Sequence, residues 1–119
     1  MNDPLKIVLD QIEAHNRHDL RAQKDFFADS CSWISDNGTY ILKDMEQFIP
    51  QYGKVIEQSP NIHIEVKNYM VVGEVVVLEE YISGTMLKDG SEQPPYSCIV
   101  TYRVKNNKIT NMRVYSRAN

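Results

Sequence analysis

Apolar positions change their spacing once along the chain, and the change divides a helical first half from a sheet-forming second half. Leu5, Val8, Leu9 and Ile12 recur at three- and four-residue intervals behind Asp3-Pro4, a capping residue followed by a proline suited to a first helical turn. A helix is predicted over Pro4 to Asn16. Asp19 caps a second, short helix carrying Leu20, Gln23, Phe26 and Phe27, and the two helices form a hairpin. Between Ser30 and Ser35, Cys31 and Trp33 alternate with serines. That is the pattern of a short strand with its odd-numbered face inward, ended by the turn Asp36-Asn37-Gly38. Asp44 caps a third helix whose Met45, Phe48, Ile49, Tyr52, Val55 and Ile56 make one apolar stripe, closed by Ser59-Pro60.

Beyond Pro60 the period falls to two, with Ile62, Ile64 and Val66 alternating against His63, Glu65 and Lys67. Further strands are predicted over Val75 to Met86, Tyr96 to Lys105 and Ile109 to Tyr115. Val72-Gly73-Glu74, the loop from Lys88-Asp89-Gly90 to Pro94-Pro95, and Asn106-Asn107 separate them. Four consecutive antiparallel strands imply a meander. No repeat, linker or low-complexity tract interrupts the pattern, so residues 1–119 are read as one domain. The fold class expected is α+β: three N-terminal helices packed on a curved antiparallel sheet, leaving a cavity at one end.

Composition narrows the function classes. The chain is 42% hydrophobic and 24% charged, with a formal charge of −3 and scattered basic residues. Nothing there supplies an electrostatic footprint for nucleic acid or anionic lipid. Its longest aliphatic run, Val75 to Leu78, is far below the ~20 residues that span a bilayer, and Asp3, Lys6, Asp10 and Glu13 are foreign to a signal peptide. Neither nucleic acid nor membrane is expected as a partner, and cytoplasmic residence is. Cys31 and Cys98 have no second cysteine at metal or redox spacing and read as buried reduced thiols. His15 and His18 lack a third ligand nearby, so no metal is expected. With no glycine-rich phosphate loop or serine-nucleophile elbow, no cofactor is expected and any chemistry is acid–base.

Asn16-Arg17-His18-Asp19-Leu20, Phe26-Phe27-Ala28-Asp29, Ser83-Gly84-Thr85, and Lys108-Ile109 with Val114-Tyr115 resemble the signatures of the nuclear transport factor 2-like superfamily. The similarity is to its polyketide cyclase-like and ketosteroid isomerase-like (SnoaL-like) branch and runs from Leu5 to Tyr115. It implies a cone-shaped barrel or cystatin-like roll, a pocket for a small hydrophobic molecule, cofactor-free chemistry of the isomerase, cyclase or dehydratase kind, and a homodimer paired through the sheet. The isomerase machinery does not carry over. Its aspartate base falls at Ser35, one residue before Asp36; its tyrosine donor falls near Gln11, and its second acid near Val100. Steroid isomerisation is therefore not expected.

Glu80 is the candidate catalytic acid or base, because it interrupts the face Val76, Leu78, Ile82. If that face is inner, Glu80 lines the cavity; if Val75, Val77, Glu79 and Tyr81 face inward, it is solvated. His15, continuing the Val8, Gln11, Ile12 side of the first helix, and Asp36 are its candidate helpers. Gln11, Trp33, Tyr52 and Tyr102 are the candidate substrate-binding residues, apolar bodies with polar tips. Two functions fit: an acid–base enzyme acting on a small, mostly apolar carbonyl- or hydroxyl-bearing substrate, or a non-catalytic module binding a small molecule or a protein. Apolar residues on both faces of Val75 to Met86 and Tyr96 to Lys105 favour a homodimer, since one small domain cannot cover both.

Overall fold

The computed structural model describes residues 3–116. The Asp3 side chain accepts a hydrogen bond from Leu5 N and Pro4 opens α1 (Pro4–Asn16), whose inner side carries Val8, Gln11, Ile12, Ala14 and His15. Asp19 caps α2 (Leu20–Lys24) through Ala22 N. The chain reverses between the two helices at His18, which takes a φ of 59°, a left-handed conformation uncommon outside glycine. β1 (Trp33–Ser35) and β2 (Tyr40–Leu42) follow, then a 3-10 turn (Met45–Gln47) that Asp44 caps, leading into α3 (Phe48–Gln58). Pro50 sits in the first turn of α3, where its missing N–H breaks no intrahelical bond. The rest is β3 (His63–Val72), β4 (Val75–Ser83), β5 (Tyr96–Lys105) and β6 (Lys108–Ser116).

Three helices thus accompany a curved sheet of six strands in the order β2-β1-β6-β5-β4-β3. β3 to β6 form the antiparallel meander that the two-residue period predicts. Asn106 and Asn107, at φ 50° and 66°, make the β5–β6 turn, two left-handed residues matching the twist of the strands they join. Register shifts at Val66/Asn68 and Arg103/Val104 are bulges that bend the sheet around the helices.

Several expectations need correction. The sheet is not wholly antiparallel: β1 lies parallel to β6, with Trp33 opposite Met112. It does not close into a barrel, since β2 and β3 are its two edges. The helices are not all N-terminal to the strands, because β1 and β2 precede α3. β2 went unforeseen because its three residues, two of them exposed, carry no alternation to read. α2 stops at Lys24, short of Phe26 and Phe27; Ile109 N instead donates to Phe26 O at 2.8 Å and Phe27 bridges to Ile109. Ile49 and Val55 on α3 are exposed, outside the expected stripe. β4 ends at Ser83 rather than Met86. Gly84 there has φ 82°, and a Cβ on it would lie 2.1 Å from Asn61 O, so only glycine permits this crossing.

Strand alternation then decides which β4 residues face the helices. Val76, Leu78, Glu80 and Ile82 are buried, whereas Val75, Val77, Glu79 and Tyr81 are half-exposed. Glu80 stands opposite Cys98 on β5 and Val66 on β3. No helix among the described residues is long and apolar enough to cross a membrane.

Candidate functional site

Between α1, α3 and the concave face of the sheet lies a cavity of about 230 Å³, predominantly apolar, whose walls include Gln11, His15, Trp33, Tyr52, Glu80 and Tyr102. The curvature makes this space. Helices packed on a flat sheet would fill it, whereas bulges bend the strands away at one end. A larger outer recess of about 660 Å³ lies between Tyr81 and the Gln93–Ser97 segment, but neither Glu80 nor His15 reaches it.

Six of the seven candidate residues converge on the cavity, and Asp36 does not. It lies in the exposed β1–β2 turn, where its carbonyl accepts from Arg113 Nη2 at 3.2 Å. The sheet wall is organised around Glu80, 3% exposed. Its Oε2 accepts the Tyr102 hydroxyl at 2.5 Å, and no other side-chain bond to Glu80 occurs among the described residues. Burial pushes the Glu80 carboxyl up to about 7, against a smaller lowering by the Tyr102 bond. Desolvation dominates because a charged carboxylate needs two or three donors and finds one. Tyr102 is driven well above the ordinary tyrosine range, first by burial and then by the neighbouring Glu80 charge, so it remains a donor. Cys98, opposite Glu80, is a neutral thiol that burial pushes up to about 12.

The helix wall is organised around His15, 1% exposed. Its Nε2 lies 2.6 Å from the Tyr52 hydroxyl and its Nδ1 3.1 Å from Asn16 Oδ1. Burial, the largest influence, holds the imidazole below its usual pKa; the Asn16 bond opposes this and the His18 and His63 charges reinforce it. Burial raises Tyr52 out of its normal range as well, with smaller contributions from Tyr96 and Glu80. The two walls thus lie close enough for their charges to interact.

Two N–H groups on cavity-lining side chains, Trp33 Nε1 and Gln11 Nε2, are buried without a hydrogen-bond partner among the described residues. The Gln11 amide lies beside the Tyr102 hydroxyl, close enough to favour a phenolate there yet outside hydrogen-bond geometry. Its Oε1 accepts from Gln23 Nε2 at 2.7 Å. Trp33 is wedged between Phe27, Phe48 and Tyr52, at ring separations of 5.5–6.0 Å. Unpaired buried donors cost roughly 1–3 kcal/mol each and mark where an acceptor oxygen would be welcome.

Reasoning from sequence missed Asn16, Gln23 and Cys98 as parts of the site. Gln23 had left a signal, a polar residue within the inner stripe of the second helix. Asn16 stood in the Asn16–Leu20 signature but with no sign of its role, because its partners lie 48 positions away in Ile64.

A model of the SnoaL-like domain matches residues 8–112. Among solved structures, an uncharacterized cystatin-fold protein from Novosphingobium aromaticivorans superposes with a TM-score of 0.88 at 19% identity, covering 96% of this chain and 98% of that one. A nuclear transport factor 2-like protein of unknown function from Cytophaga hutchinsonii gives 0.76 at 18% identity, over 98% and 92%. IdmH from Streptomyces antibioticus, a candidate polyketide cyclase, gives 0.80 at 16% identity, over 95% and 91%. At these identities the likeness speaks for the fold alone. No curated protein matches the sequence.

Proposed function

The chain belongs to the SnoaL-like domain family, and we propose that it binds a small, mostly apolar, carbonyl-bearing molecule in the concave cavity and moves a proton on it without a cofactor. The observation that carries this reading is Glu80, a carboxyl buried on the wall of an otherwise apolar cavity and brought near neutrality. An ordinary core would hold a leucine there. A carboxyl poised near 7 exchanges protons efficiently at neutral pH, and Tyr102 steadies whichever form is present. Trp33 Nε1 and Gln11 Nε2 supply donors for the ligand's carbonyl oxygen. At about 230 Å³ the cavity is below the ~300–1,000 Å³ of drug-sized sites, so the ligand is compact. A structural neighbour described as a candidate polyketide cyclase supports the same class of substrate.

Trp33 is the chain's one tryptophan, which makes its indole N–H a reporter. Titrating small cyclic ketones should shift it, and Cys98→Leu, which fills the cavity, should remove the response. The same ketones in deuterated water should exchange α-protons faster with protein present, and Glu80→Gln should abolish the acceleration. An indole signal indifferent to every ketone overturns the binding site; binding without exchange leaves the non-catalytic binding module in its place.

The outer sheet face supports a second proposal, a homodimer. Ile99 and Tyr115, exposed and paired across β5 and β6, share the outer face with Val77 and Val75 of β4, which stand opposite Thr101 and Arg103. Pairing through the sheet would cover these apolar side chains and the polar ones between them. Light scattering at micromolar concentration should give twice the chain mass of 13.8 kDa; a monomer throughout refutes it.

A further inference from the structure

The helix wall of the cavity has a hydrogen-bond direction, and it is set from outside the cavity. Asn16 Nδ2 donates to Ile64 O at 2.8 Å while Ile64 N donates to Asn16 Oδ1 at 2.9 Å. A flipped amide would set N–H against N–H and oxygen against oxygen, so this pair of hydrogen bonds to the backbone of one residue fixes which Asn16 atom faces His15. That atom is Oδ1, 3.1 Å from His15 Nδ1. An amide oxygen only accepts, hence Nδ1 must carry the proton. In a neutral imidazole Nε2 is then bare, and the hydroxyl 2.6 Å from it on Tyr52 must point its hydrogen at the ring. Burial of His15 to 1% exposure favours the neutral ring. The groups that act on it from α1, the following turn, β3 and α3 are Asn16, His18, His63 and Tyr52, none of them a carboxylate. The carboxyl of β4 that lines the same cavity, Glu80, is bonded to Tyr102 on the opposite wall.

We infer that Asn16 is a positioning residue that locks His15 in the Nδ1–H tautomer, so that Tyr52 spends its hydrogen on His15 Nε2 and offers its oxygen to the cavity as an acceptor. The ligand therefore presents a hydroxyl to the helix wall. This rests on the cavity being the ligand site, and it sets the donors at Trp33 and Gln11 apart from an acceptor at Tyr52 on the helix wall, which adds to the unpaired Gln23 Oε1. A hydroxyl-bearing carbonyl compound fits both, whereas its methyl ether leaves the Tyr52 oxygen unpaired.

The free protein tests the lock without any ligand. Long-range ¹H–¹⁵N correlation of the imidazoles should show His15 with a protonated Nδ1 and a bare Nε2, opposite to the tautomer that prevails in free histidine. Asn16→Ala should shift it toward Nε2–H, and Tyr52→Phe should leave the Nδ1–H form intact. A wild-type His15 found as Nε2–H or as imidazolium overturns the inference, so a misfolded Asn16→Ala does not protect it. For the ligand half, phenol and anisole serve as matched probes followed at the Trp33 indole. Phenol should bind about tenfold more tightly to the wild type, one neutral hydrogen bond's worth, with the preference gone in Tyr52→Phe. Equal binding of the two probes overturns the hydroxyl requirement. Binding of neither probe overturns that requirement too, and it counts against the ligand site, while the tautomer result stands or falls separately.

Discussion

Glu79 and Glu80 are adjacent, chemically identical, and on opposite faces of one strand. Glu79, on the convex face, accepts a hydrogen bond from Asn68 Nδ2 at 2.7 Å in an exposed pair across β3 and β4. Glu80, on the concave face, is shut away with Tyr102 and is brought to about 7 chiefly by loss of water. Nothing local in the sequence distinguishes them. The difference is the two-residue period of the strand together with three helices that cover one face and leave the other open. A carboxyl poised near neutrality is thus a property of a face, not of a residue type, and the convex face with its Val77 and Ile99 is the one proposed for association.

The comparison is tested most severely by deleting volume on either side. Leu78→Ala, on the inner face at 0% exposure, should cost about 2–5 kcal/mol in urea denaturation. Val77→Ala, one position away and half-exposed, should cost under ~1 kcal/mol at concentrations where the chain is monomeric. Equal losses would mean that the faces are not distinct. Next in size comes the acid itself. Glu80 has a folded pKa above its unfolded one, so its favourable contribution is complete below about 4.5 and is lost as pH rises through about 7. Glu80→Gln should therefore stabilise the protein on the order of 1–3 kcal/mol at pH 8 and by little at pH 4.5, with Glu79→Gln near neutral at both.

His15 carries the opposite sign. Its folded pKa is depressed, chiefly by burial, so the stability it contributes is present above about 6.5 and is lost as pH falls below that value. Thermal melts of His15→Gln should show a shallower acid limb than the wild type. Smallest in stability, though not in assembly, is Ile99→Asp on the convex face. It should dissociate the proposed dimer in light scattering while changing the monomer's unfolding free energy by less than ~0.5 kcal/mol.

Much of this architecture was legible in the sequence because it is periodic. The Pro4–Asn16 helix and the strands after Pro60 declare themselves by spacing, and Asn106-Asn107 by turn chemistry. The odd-numbered inward side of the Ser30–Ser35 segment also stands, with Cys31 and Trp33 buried, although the strand itself begins only at Trp33. What escaped is what depends on distant partners. The parity of β4 could not be chosen from Val75–Ile82 alone, since both faces are apolar; only the helices packed over Glu80 break the tie. β2 is too short for a period. Asp36 looked suitable because it follows by one residue the position, Ser35, at which the resemblance places an aspartate base, but one residue past the strand end put it in solvent. Asn16 reads as the end of a helix and becomes a site residue only when Ile64 is folded against it.

The account turns on Glu80, and carbon-detected magnetic resonance of its side-chain carboxyl across pH 3 to 9 tests it most directly. The wild type should titrate with a midpoint near 7, and Tyr102→Phe should move the midpoint higher, because the lost hydrogen bond favours the ionised form. A midpoint in the ordinary carboxylate range, unmoved by Tyr102→Phe, would contradict a buried, poised acid and with it the proposed proton chemistry.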